Sequence, residues 1–214
     1  MSTVPERKRQ TQIEGIQLLA GIVALMWIVE VINSLDANKL DNDGIYPRNL
    51  GRLWGILTAP FLHAGFGHLI ANTVPFVFMG LIIALRGAAR LAAVTLIVIL
   101  VGGLGTWLIA PSHLANGQPV VTVGASGVVF GYAAYLLVRG LFDRSALELL
   151  IGAVVGVVWG GALLASLVPH SGISWQGHLC GAIGGVVAAW LLTSRRSRTA
   201  AAGERGGPAG ALAK

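Results

Sequence analysis

The chain has 214 residues; 55% are apolar, 11% are charged, 30 are glycine, and the formal net charge is +6. A soluble domain carries roughly 25% charge, so a mean hydropathy of +0.74 excludes a disordered chain and most water-soluble folds. At about 20 residues per membrane helix, the length holds at most about six or seven spans, and the single Cys180 excludes an intramolecular disulfide framework.

Residues 1–14, with Arg7, Lys8 and Arg9, form a polar and mobile N-terminal segment. The apolar run at 16–32 is long for a signal-peptide core and lacks a small-residue cleavage pattern, so it reads as a retained first span. Residues 35–56 are polar to amphipathic, with Asp36, Asp41, Asp43, Pro47 and Trp54. The apolar stretches at 69–85 and 91–110 give a second and a third span. A loop at 111–119 is rich in turn residues. Residues 124–138 give a fourth span, 146–168 a fifth and 175–192 a sixth, with a short loop at 169–174. From residue 194 the chain is basic, then rich in Gly and Ala, and reads as a disordered tail. The expected fold is all-α: a polytopic membrane protein whose residues 15–193 form a compact bundle of six transmembrane helices.

Six spans place both termini on one side. All but Lys39, Arg48 and Arg52 of the 15 Lys and Arg residues fall in the N-terminal segment, the turns at 86–90 and 139–144, and the tail. By the positive-inside rule the termini are cytoplasmic. Anionic headgroups account for basic residues at helix ends, so the pI of about 10.3 calls for no nucleic-acid partner.

Glycines recur every four residues on three spans: Gly127 and Gly131; Gly152, Gly156 and Gly160; Gly177, Gly181 and Gly185. That spacing puts small residues on one face and lets helix backbones approach. For most of them this is tight bundle packing. The fourth and sixth spans also carry one reactive polar residue each.

Ionisable groups inside spans are costly and mark function. His68 and Asn72 lie four apart at the start of the second span, on one helix face. Ser126 begins the fourth span between Gly124 and Gly127, and His178 begins the sixth. These three spans run in the same direction, so all four residues lie at one depth near the outer surface, where a water-filled cavity would collect them. A serine needs an adjacent base to act as a nucleophile. His178 can take its proton and pass it to a leaving amine. The developing oxyanion needs donors, and the side chains of His68 and Asn72 with the Ser126 backbone N–H offer them. Asp143 and Glu148 lie at the cytoplasmic end, so the expected unit is a Ser–His dyad.

These motifs, His68-x-x-x-Asn72, Gly124-Ala-Ser126-Gly127 and His178-Leu-Cys-Gly181-Ala-Ile-Gly-Gly185 in this order, resemble those of the rhomboid family of intramembrane serine proteases. The resemblance covers roughly residues 52–190 and is to the basic six-span bacterial form. It implies an integral protein of the bacterial cytoplasmic membrane with its active site opening to the outer side. It implies Ser126 as nucleophile, His178 as general base, and an oxyanion hole from His68, Asn72 and the Ser126 amide. It also implies that Gly181 and Gly185 let the His178 helix lie against the Ser126 helix. Phe130 stands where family members carry an aromatic, often tyrosine, packed on the imidazole. His63 aligns with a family histidine near the cavity; a polar cavity role and an interfacial one both fit. Gln118, before the serine, is placed to hold water. The family's first loop is half-inserted and often marked Trp-Arg; here Trp54-Gly55 departs from that pattern, with Arg52 two residues earlier. His113 and His170 read as solvated loop residues, Cys180 as a small packing residue facing away from the site, and Glu30 as snorkelling to the interface.

The resemblance implies cleavage of transmembrane segments of other proteins, with small residues at the cut and helix-destabilising ones below it, and no cofactor or metal. Partners are then membrane-protein substrates and the lipid bilayer; the glycine faces leave oligomeric state open. A rhomboid-like pseudoprotease that binds without cutting, and a small transporter, are the alternatives. The intact polar set speaks against the first, and the lack of a mid-membrane acidic relay against proton coupling in the second.

Overall fold

A computed structural model describes residues 4–169 and 172–205, with side chains described up to residue 193. His170 and the end of the tail lie outside the described residues. Among those described, the fold is all helical. Helix α1 spans Val4–Leu35; a long first loop follows, holding the short α2 (Gly55–Thr58) and three 3₁₀ turns. Then come α3 (Phe66–Ala84), α4 (Ala88–Ile109), α5 (Ser126–Asp143), α6 (Ala146–Ala165) and α7 (Trp175–Arg205).

Helix extends into both terminal segments. The polar N-terminal segment is helical from Val4, because Pro5 suits a first helical turn and Gln10 and Thr11 bond along the helix to Glu14 and to the Arg7 carbonyl. Helix α7 runs on to Arg205, through an Ala- and Arg-rich stretch of good helix formers.

Among the described residues, five helices are long and apolar enough to cross a membrane: α1, α3, α4, α6 and the Trp175–Thr193 part of α7. Helix α5 is not among them. It packs against α3, α4, α6 and α7 and buries Tyr132, Ala133, Tyr135 and Leu136. On its protein-facing side α5 tolerates Arg139, which is 2% exposed and pairs with Asp143 one turn on.

Glycine sets the spacing around α5. A methyl on Gly181 would overlap the Gly127 carbonyl oxygen, and one on Gly185 would overlap that of Gly131. Helices α5 and α7 therefore touch backbone to backbone. A methyl on Gly102 would come within 3.0 Å of the Gly181 Cα, which seats α4 against the same seam. On α6, Gly152 abuts the backbone of Leu136 and Leu137, whereas Gly160 and Gly161 have nothing within 4 Å.

The first loop is built into the bundle. Arg48 donates to the Leu108 and Ala110 carbonyls at 2.9 and 2.7 Å, capping the C-terminus of α4. Arg52 lies over the Tyr46 and Trp54 rings and pairs with Asp43. An arginine two residues before Trp54 thus anchors the loop. Leu50, Leu53, Trp54 and Leu57 stay exposed beside it.

Candidate active site

The segment entering α5 is held by that first loop. Ile45 and Thr122 exchange backbone bonds at 2.9 and 3.0 Å, and the Gly124 amide donates to Ala59 at 2.9 Å. The Ala125 amide then donates to His63 Nε2 at 3.3 Å. Gly124 takes φ +115°, open to glycine at little cost. A side chain there would also strike the His68 ring, since a methyl would lie 2.6 Å from Cε1 and 2.8 Å from Nε2. The chain thus delivers Ser126 as the first residue of α5, where backbone amides lack a carbonyl one turn back.

His178 reaches Ser126 from α7. Its Nε2 stands 2.9 Å from Ser126 Oγ. Its Nδ1 stands 2.9 Å from the Ser166 carbonyl at the end of α6. A carbonyl only accepts, so Nδ1 carries the hydrogen and Nε2 is left to accept from the serine hydroxyl. The Phe130 ring lies flat on the imidazole, with centroids 4.2 Å apart and planes 5° from parallel. The α7 start is capped by Ser174 Oγ, which accepts from the Gly177 amide at 3.2 Å.

His68, Asn72, Ser126, Phe130 and His178 line one cavity of about 510 Å³. The Ala64 amide donates to His68 Nδ1 at 3.4 Å, which leaves the hydrogen on Nε2. Asn72 Nδ2 donates to the His68 carbonyl at 3.0 Å and holds a second hydrogen. Two neutral donors and a helix-start amide therefore surround a serine hydroxyl paired with an imidazole. That set is suited to acyl transfer.

Other expected residues lie elsewhere. Gln118 is exposed on the 111–119 loop, with its backbone tied to Leu114 and Asn116, and it does not line the cavity. His63 is fully buried behind the site, edge-on to His68 at 5.2 Å, in neither a cavity nor an interfacial position. Burial, then the nearness of a second imidazole at His68, lowers its pKa to about 4. Glu30 does not snorkel: it is 0% exposed. Its face of α1 turns inward, and one turn on Asn33 holds Asp41 and the Leu40 amide. Cys180 is buried against Gly105. Asp143 and Glu148 are engaged with Arg139 and Arg86 at the far end of α5, about 25 Å from Ser126 at ~1.5 Å per residue.

Sequence reading missed Ser166 and Trp159, both of which line the cavity from α6. The fifth span runs opposite to the fourth and sixth, so its C-terminal end meets their starts; that antiparallel order was the available signal.

A family model described as Rhomboid domain matches residues 50–195. An uncharacterized protein of Mycobacterium tuberculosis is 43% identical over 211 residues, 96% of this chain and 88% of its own. The protein YdcA of Bacillus subtilis is 29% identical over 196 residues, 88% of this chain and 95% of its own. The rhomboid protease GluP of the same organism is 29% identical over 149 residues, 66% of this chain and 26% of its own.

Proposed function

The chain belongs to the rhomboid family, and on that premise we propose that it is an intramembrane serine endopeptidase working through a Ser126–His178 dyad. The observation that carries this reading is the 2.9 Å contact between His178 Nε2 and Ser126 Oγ, with Nδ1 already held by the Ser166 carbonyl. Ser126 Oγ attacks the scissile carbonyl carbon as Nε2 takes its proton. The oxyanion meets the Ser126 amide, His68 Nε2–H and Asn72 Nδ2–H. When the C–N bond breaks, His178 returns the proton to the leaving amine. Water then enters by the same base and releases the acyl group. No metal or cofactor takes part in this sequence.

The substrate is a transmembrane segment of another protein, cut near its outer end after local unwinding frees its carbonyls from i to i−4 bonds. A second cavity of about 40 Å³ lies beside Ser126, lined by Gly102, Gly103, Gly124 and Gly127, and supports a small side chain at the cut. Residues 15–193 act as the protease domain, with six spans, cytoplasmic termini, and the site open to the outer face of a bacterial cytoplasmic membrane. The basic residues at the α3–α4 turn and the end of α5 support that orientation.

A serine-reactive fluorophosphonate should label the wild type and fail to label Ser126→Ala. Absence of labelling and of model-substrate cleavage by well-folded wild type would sink the protease reading and leave a membrane-segment binder.

A further inference from the structure

At the end of the bundle away from Ser126, a cavity of about 610 Å³ lies between the start of α1, the α3–α4 turn and the end of α5. Arg7, Lys8, Arg86, Arg90 and Arg139 line it, and no carboxylate does among the described residues. Arg139 is 2% exposed. Its Nε bonds Asp143 at 2.9 Å, but its Nη1 makes no hydrogen bond and stands 3.8 Å from Glu148. Glu148 is itself bonded to Arg86. A buried donor left unmatched is costly, and a charged one more so. Burial, then the charge of Arg139, pushes the Arg86 guanidinium below the usual arginine range. Several cations share one hollow, and the nearby carboxylates are already engaged.

We propose that this cavity binds the phosphate of an anionic phospholipid headgroup. Guanidinium forks match phosphate oxygens, and four of the five lining cations are arginines. The position selects a lipid as the source. The α3–α4 turn joins two helices of membrane-crossing length, so it sits at headgroup depth. Val4 and Leu85 also line the hollow, and both are exposed. They offer an apolar surface to acyl chains where the cations hold the headgroup. The bound lipid would tie the start of α1 to the α3–α4 turn.

The test uses the full chain in a non-ionic detergent, with phosphatidylglycerol, phosphatidylcholine or inorganic phosphate added. Native mass spectrometry counts retained lipid, and thermal unfolding reads stabilisation. Phosphatidylglycerol should be retained about tenfold more tightly than phosphatidylcholine. Lys8→Gln and Arg90→Gln should each weaken it about fivefold, the worth of one cation near a headgroup, with fluorophosphonate labelling of Ser126 unchanged. Arg139→Gln should weaken it further; the two rim variants carry the test if that one misfolds. Competition by millimolar inorganic phosphate would support recognition of the phosphate itself. Stabilisation by inorganic phosphate without retention of phosphatidylglycerol would overturn the lipid assignment. Equal retention of the two lipids, or undiminished retention by a Lys8→Gln, Arg90→Gln double variant, would overturn the proposal.

Discussion

Gly181 lies so close to Gly127 that a single methyl has no room between them. The residues flanking that contact are the two of the proposed dyad. Ser126 precedes Gly127, His178 precedes Gly181 by three, and their side chains meet at 2.9 Å across 52 residues of sequence. The dyad distance is set by the distance between two helix backbones. Gly181→Ala and Gly185→Ala should therefore lower thermal stability by several degrees and abolish cleavage together. Gly160→Ala and Gly161→Ala, which meet nothing within 4 Å, should leave both unchanged or raise stability slightly, because alanine favours a helix by about 1 kcal/mol over glycine. Equal damage from both pairs, read by melting and by cleavage of a model substrate, would separate the seam from the dyad.

Replacing the proposed nucleophile or its base tests a different link. Ser126→Ala and His178→Ala should each reduce cleavage by about a thousandfold or more, with melting temperatures near that of wild type. If Asp143→Asn cost as much activity in a folded protein, a distant carboxylate would belong to the catalytic unit and the dyad would be wrong.

The flat contact between Phe130 and His178 predicts a graded series. Phe130→Tyr keeps the ring and should cleave at nearly the wild-type rate. Phe130→Ala loses a stacked pair worth about 0.5–1.5 kcal/mol, so the rate should fall by up to about tenfold. A steady-state comparison of kcat separates this from substrate binding; a change confined to KM would speak against imidazole positioning.

His63 gives the fold a pH limit. Its Nε2 accepts the Ala125 amide only while that nitrogen is unprotonated. Burial and the neighbouring His68 imidazole hold its pKa at about 4, below the ordinary 6.5. Between those values the unfolded chain binds more protons than the folded one. Stability from this group is full above pH 6.5 and is lost as pH falls toward 4. At about 1.4 kcal/mol per tenfold, the loss is about 3 kcal/mol. Asp41, raised by burial, works in the opposite sense. The comparison is therefore wild type against His63→Gln, which keeps an acceptor. Melting temperature should fall less from pH 7 to 4.5 in the variant, and parallel curves would remove His63 from the account.

The long helices were readable because lipid imposes length and apolarity on each of them. The grouping of Ser126, His178, His68 and Asn72 was readable because helix direction alternates, which fixes depth from order alone. Which way each helix faces was much less legible. Lipid and protein interior are equally apolar, so hydrophobic periodicity does not separate the buried face of α1 from its exposed one. Glu30 was misplaced for that reason. The first-loop clamp on Ser126 and the Ser166 carbonyl are mostly backbone groups, and every residue type carries those. Gln118 was placed by its nearness in sequence to the serine, but the turn tied through Leu114 and Asn116 holds it outside.

The hydrogen that fixes the tautomer of His178 is held by α6, not by α5 or α7. Helix α6 packs on α5 and is the least buried of the membrane-length helices. A displacement of α6 away from α5 would withdraw the Ser166 carbonyl from Nδ1. The imidazole would then lose its reason to present a bare Nε2 to the serine. The state of that nitrogen is thus set by a third helix, which carries neither member of the pair.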